Sequence, residues 1–172
     1  ELADLWAGDR LFLHELRRRG HHADPVVWTD GAADWRGWDA VVIRSCWDYH
    51  LAPDRFRGWL EGLARQGVRI INPLDTLLWN MHKGYLLEVA RAGGRIPPTR
   101  LVERGAQGSL EEHLRRAGWH ETVFKPAISS TGHSTRLVRG VPAAEDERAF
   151  RAAVAVGDVL LQAYVPEVAA RG

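Results

Sequence analysis

Lys83 and Lys125 are the only lysines among the 23 basic residues of this chain, and the rest are arginines. A guanidinium serves ordinary surface charge as well as an ammonium does. Two lysines in an arginine-biased chain either survive by chance of composition or mark places that want a compact point charge suited to phosphate oxygens, and their context must decide. Lys125 closes an apolar run and is followed by Pro126 and the polar stretch Ala127, Ile128, Ser129, Ser130, Thr131, Gly132, His133, Ser134 and Thr135. Hydroxyls, a glycine and backbone N–H groups after a strand-end lysine can be turned together towards a polyanion, with the loop acting as a lid. The same composition also suits a plain polar hairpin connection. No Gly-x-x-x-x-Gly-Lys-Ser/Thr and no Gly-x-Gly-x-x-Gly occurs, so the P-loop and dinucleotide-binding folds are excluded.

A second group is the heptapeptide Arg44, Ser45, Cys46, Trp47, Asp48, Tyr49 and His50, which follows a run read as a parallel strand. Ligands of open α/β sheets collect at strand C-termini. Arg44 could clamp a carboxylate, Asp48 meet an ammonium, and Ser45, Trp47 and Tyr49 complete a pocket for an amino-acid-like substrate. Equally, Asp48 could cap a turn and Trp47 could be core. Cys46, Asp48 and His50 could also be taken as nucleophile and base of an amidase or transferase, but a single cysteine is ordinarily a small hydrophobe. The 8 histidines offer no pair four apart and no cysteine partners, so no zinc site and no other metal ligand set is assigned; His21 and His22 read as exposed.

The elements that must carry these groups are legible from periodicity. A helix is expected over 9–20, with Asp9 as capping acid and Gly20 as stop. Strands follow over 23–28 and 39–44, the latter continuous enough (Ala40, Val41, Val42, Ile43) to be covered on both faces. A helix over 53–67, opened by Pro53 and Asp54, leads to a strand over 69–72. The pattern opens on a helix rather than a strand, so an initial strand is expected upstream of Glu1. From 73 to 94 the spacing of Leu77, Leu78, Met81, Tyr85, Leu86, Val89 and Ala90 predicts a helix ended by Gly93 and Gly94. After Pro97 and Pro98 the expectation is strand 99–103, helix 109–117 with a Ser109/Glu112 capping box, strands 122–125 and 135–139, helix 145–155 and strand 159–164.

A length of 172 residues with 45% hydrophobic content suffices for one domain or two small ones. A net charge of +1 with both signs interspersed lacks the basic stripe of a nucleic-acid binder, and no apolar run approaches a membrane span. One cysteine excludes an internal disulfide framework and fits a reducing cytoplasm.

Several segments, taken in order, resemble the ATP-grasp ligases of the glutathione synthetase-like and RimK-like branch. Asn72-Pro73, Trp79-Asn80, Lys83 and Tyr85-Leu86-Leu87, then Ile96-Pro97-Pro98-Thr99, are similar to the family's first lysine helix and the strand after it. Val123-Phe124-Lys125-Pro126 is similar to the second lysine strand, and 129–135 to the loop that covers the phosphates. Gln162, Ala163, Tyr164 and Val165 resemble the hinge that holds the adenine edge, and Glu167 the acid that meets the ribose. The Arg44–His50 stretch resembles a substrate-side signature of the subgroup that includes the cyclising ligase of cycloserine biosynthesis.

The resemblance implies an α/β fold of ATP-grasp type. It comprises an N-terminal parallel-sheet substrate domain over 1–72, a helical connection over 73–98, and an α+β nucleotide-lid subdomain over 99–172, with the C-terminal half missing. It implies ATP and Mg2+ as cofactors, with Lys83, Lys125, Ser129, Ser130, Thr131 and Gly132 around the phosphates. The implied reaction is carboxylate–amine ligation through an acyl phosphate, including ring closure within one molecule. It admits a homodimer. The family's metal-binding acids, its asparagine and its arginine for the transferring phosphate lie beyond Gly172, so no catalytic residue is assignable and the segment alone is expected to turn over nothing. The alternative is a non-catalytic, nucleotide-responsive regulatory module.

Overall fold

The computed structural model describes residues 5–171. These divide into two compact units, one running to Leu78 and one starting at Trp79.

In the first unit α1 (Ala7–Arg18) turns Leu13 inward and places Arg17 and Arg18 at its carbonyl end, where the helix dipole favours them. Gly20, at φ +86°, reverses the chain so that the His21 N–H reaches the Leu16 carbonyl at 3.1 Å, the expected glycine stop. Asp9 is not the cap. The N-cap is Trp6, no side chain caps this end, and Asp9 lies in the first turn with its carboxylate engaged elsewhere.

Strand β1 (Val41–Val42) pairs in parallel with β2 (Ile70–Ile71), and α2 (Pro53–Arg65) makes the crossover between them. Helix α2 begins with Pro53, whose missing N–H costs nothing in a first turn, and buries Phe56, Leu60 and Leu63 at a spacing of four and three. Trp28 packs edge-on against Phe56 at 5.1 Å between centroids, and Trp59 sits 5.9 Å from Trp28 and 5.3 Å from Trp35. Two expectations fail here. No strand forms over 23–28; Pro25 interrupts that run by removing a donor, and Trp28 serves the aromatic core instead. The 39–44 run is not covered on both faces, since Val42 is 39% exposed and its ladder neighbour Ile71 40%.

Helix α3 (Leu74–Met81) is followed after a break by α4 (Tyr85–Arg91), so the single helix expected over 73–94 is two. The second unit is then built on four antiparallel strands in the order β3 (Thr99–Val102), β6 (Val159–Ala163), β4 (Glu121–Pro126), β5 (Arg136–Arg139). Helices α5 (Leu110–Ala117) and α6 (Ala144–Val156) supply Leu110, Leu114, Phe150 and Val154 to a core shared with Val102, Phe124, Val138, Val159 and Leu161. The expected capping box opens α5: Ser109 Oγ accepts from the Glu112 N–H at 3.1 Å, and the Glu112 carboxylate accepts from the Ser109 N–H at 3.2 Å. A short helix α7 (Glu167–Arg171) follows β6.

Candidate functional site

Side chains alternate along a strand, and this alternation places Lys125. Phe124 pairs with Leu161 and points into the core beneath α5 and α6, so Lys125, opposite Leu160, must point to the other face. Val123 and Gln162 form the adjoining pair on that face. Gln162 is buried and donates through Nε2 to Thr99 Oγ1 at 2.9 Å, and Thr99 in turn donates to the Pro97 carbonyl at 2.6 Å.

Lys83 arrives from the break between α3 and α4. Its backbone N–H donates to the Ala127 carbonyl at 2.8 Å, and its ammonium donates to the Ser129 carbonyl. Burial pushes the Lys83 pKa down to about 8, assisted by the positive charge of Lys125; burial also lowers Lys125. The two lysines, 42 positions apart in the chain, are thus close enough to feel each other. Among the described residues no carboxylate lies within ion-pairing distance of either ammonium, whereas ten other ion pairs form around arginine and histidine. Two half-buried like charges without a counter-ion are costly to hold together, and a polyanion fits them.

The loop between β4 and β5 begins at this point. Ser129 is buried and its hydroxyl donates to the Pro126 carbonyl at 3.0 Å. Thr131, Gly132 and Ser134 take φ of +52°, +72° and +55°, and two turns close with the His133 N–H on the Ser130 carbonyl at 2.9 Å and the Thr135 N–H on the Gly132 carbonyl at 3.0 Å. Left-handed backbone at a β-branched residue such as Thr131 is unfavourable, and such outliers gather where a loop must meet a ligand. Residues 131–135 are exposed.

At the end of β6 the Ala163 N–H donates to the Pro98 carbonyl at 2.9 Å, and just beyond it the Tyr164 N–H donates to the Glu121 carbonyl at 3.0 Å. The Arg139 guanidinium stands 5.8 Å from the centre of the Tyr164 ring. Val165 is half-buried, and Glu167 is exposed in the first turn of α7.

In the first unit Arg44 and Ser45 converge on Asp9. Arg44 Nε donates to one carboxylate oxygen at 2.7 Å and Ser45 Oγ to the other at 2.5 Å, with Ser45 at φ +49°. The Ser45 hydroxyl first, and the Arg44 guanidinium with it, hold Asp9 below the usual carboxylate range. The guanidinium also covers the Phe12 ring at 4.7 Å. Asp48 accepts from Trp28 Nε1 at 2.8 Å, and Tyr49 packs on Phe56 at 5.6 Å. Trp47 is not core: it is 50% exposed and meets Trp6 edge-on.

The amidase-like arrangement does not assemble. His50 Nδ1 is bonded to the Trp47 carbonyl at 2.8 Å and Cys46 Sγ to the Arg44 carbonyl at 3.4 Å, while burial, then Asp48 and Asp9, push the thiol up to about 11. No cluster of three potential metal-ligating side chains exists among the described residues, and no helix there is long and apolar enough to cross a membrane. Asp9 was missed as a site residue because nothing in a first-turn acid signals partners 35 positions downstream.

Comparison with known proteins bears on the fold. The fold is that of the ATP-grasp ligases: the chain superposes on an ATP-grasp RimK domain protein of Sphaerobacter thermophilus with a TM-score of 0.65 over 94% of its length and 61% of that chain, at 20% identity. Within that class the resemblance is to the D-cycloserine synthetases. Residues 1–72 match the family model described as the N-terminal domain of D-cycloserine synthetase DcsG. The chain is 29% identical over 164 residues to the cycloserine biosynthesis protein DcsG of Streptomyces lavendulae, covering 93% of this chain and 54% of that protein. It superposes on the crystal structure of D-cycloserine synthetase DcsG with a TM-score of 0.81 at 28% identity, covering 91% and 54% of the two chains. The chain spans about half the length of these relatives.

Proposed function

We propose that this chain carries the substrate domain and the nucleotide lid of an ATP-dependent carboxylate–amine ligase acting on an amino-acid-like substrate. Ring closure within one molecule, of the kind the name D-cycloserine synthetase describes, is the preferred reaction. The observation that supports this most is the pair Lys83 and Lys125, two half-buried ammonium groups without a carboxylate partner among the described residues. Both would hold the phosphates of ATP, and the 129–135 loop, with Ser129, Ser130, Thr131 and Gly132, would lie over them. Gln162, Ala163, Tyr164 and Val165 would border the adenine and Glu167 the ribose.

When bound, ATP supplies the phosphoryl group that activates a substrate carboxylate for attack by an amine. The work of this chain's own residues is to neutralise charge and to exclude water, since an acyl phosphate hydrolyses readily. In the first unit Arg44 and Ser45, fixed on Asp9, together with Trp47, Asp48 and Tyr49, would receive the amino-acid-like substrate. Mg2+ belongs to this chemistry, and no residue described here is assigned to it.

The test is product analysis of the full-length protein with Mg-ATP and a panel of amino acids and ureido or aminooxy amino acids, beside Lys125→Ala. ADP and phosphate formed only with a particular acid and amine, and reduced by about 10²-fold or more in the variant, are expected. AMP and pyrophosphate would point to adenylation and overturn the mechanism. Tight ATP binding without turnover would favour a regulatory module.

A further inference from the structure

We propose that His82 and Asp158 form a positioning pair for Lys83, closing a ring of contacts that keeps its ammonium beside Lys125. The inference rests on the nucleotide-binding proposal above for its purpose, though not for its geometry.

The ring can be followed atom by atom. The Lys83 N–H donates to the Ala127 carbonyl at 2.8 Å, and the Ala127 N–H donates to the Asp158 carbonyl at 2.8 Å. The Asp158 carboxylate lies 3.2 Å from His82 Nε2 through Oδ2 and accepts the Arg104 N–H at 2.8 Å through Oδ1. His82 is covalently joined to Lys83, which closes the circuit. The imidazole is oriented within it. The Gly84 N–H donates to Nδ1 at 3.1 Å, so the ring proton stands on Nε2, the atom facing Asp158.

This arrangement also accounts for the break between α3 and α4. In a continuous helix the Lys83 N–H would point to the Trp79 carbonyl, but here it points across to the residue after β4. Pinning both sides of the Ala127 peptide fixes the chain two residues beyond Lys125, while the histidine and aspartate fix the backbone of Lys83. A device of this kind is needed because the ammonium groups repel. The charge acting on Lys83 among the described residues is that of Lys125 from β4, and its hydrogen-bond partner is the Ser129 carbonyl from the loop. Without the clamp, repulsion and hydration would draw the two apart.

Two isosteric variants separate the contacts. His82→Gln offers an N–H where Nε2 stands and keeps the Asp158 contact. His82→Asn offers an oxygen where Nδ1 stands, keeping the Gly84 contact and losing Asp158. Lys83 reactivity towards acetic anhydride, followed by peptide mass spectrometry across pH without nucleotide, reads the ammonium directly; ATP titration at pH 7 reads its use. The wild type should show a midpoint near pH 8. His82→Gln should follow it, whereas His82→Asn should move the midpoint up by roughly one unit and weaken ATP by about tenfold. If His82→Asn melts below the assay temperature, Asp158→Asn, which keeps an oxygen for the Arg104 N–H, should give the same upward shift.

Identical Lys83 profiles in the wild type and in whichever of His82→Asn or Asp158→Asn is folded, or a shift in His82→Gln as large as in His82→Asn, would overturn the inference. A separation of the profiles in a protein that binds no ATP would uphold the pair and remove the nucleotide reading instead.

Discussion

Lys83 carries a cost in the folded chain that a surface lysine does not, because its ammonium is half-buried beside another, and this gives binding and stability opposite responses to pH. With the folded value near 8 and the ordinary value at 10.5, the unfolded chain holds more protons between those limits, so stability from this group rises with pH across that window. Anion binding falls over the same range as the charge is lost. Urea midpoints at pH 7.5 and 9.5 should therefore rise in the wild type and rise less in Lys83→Met; equal slopes would show that the group is not desolvated as described. The lysines themselves were legible in the sequence because they stand out against 21 arginines. Their supports were not. Asp9, His82 and Asp158 act on partners far away in the chain, and their side-chain types are common in first turns and loops.

Among the elements, α5 was read most fully, since its capping box is a local pattern of two side chains three apart. Ser109→Ala should cost about 1 kcal/mol, measured as a lower urea midpoint with unchanged slope; no loss would mean that the Glu112 carboxylate, with Glu147 accepting from the Leu110 and Glu111 N–H groups, suffices to hold this end. Gly118, at φ +71°, closes the same helix, and a side chain there would be strained. Elsewhere local patterns yielded to tertiary demands. The run over 23–28 has strand-like residues but no partner, and its Trp28 is used by α2. The helix expected over 73–94 is interrupted by a hydrogen bond to Ala127, which no periodicity within those residues could announce. The four strands of the second unit were each placed within about two residues, yet their order was not readable, because β6 comes last in sequence and lies between β3 and β4.

At the scale of the whole molecule, charge distribution sets which partners are attracted. A net charge of +1 with both signs interspersed leaves little long-range positive field, so no shift of duplex DNA is expected in a mobility assay at physiological salt. A shift whose strength falls steeply with salt would contradict that. The division into two units also partitions the tryptophans. Trp6, Trp28, Trp35, Trp38, Trp47 and Trp59 lie in the first unit, and Trp79 and Trp119 in the second. Trp59, within 6 Å of both Trp28 and Trp35, belongs to a group of indoles close enough for their strong transitions to couple, so an exciton couplet from the first unit is expected in far-ultraviolet circular dichroism. Trp79, four residues before Lys83 in the chain and bonded to Glu88, and Trp119 are the indoles of the second unit. Each unit thus carries indole reporters of its own, and those of the first are packed against one another.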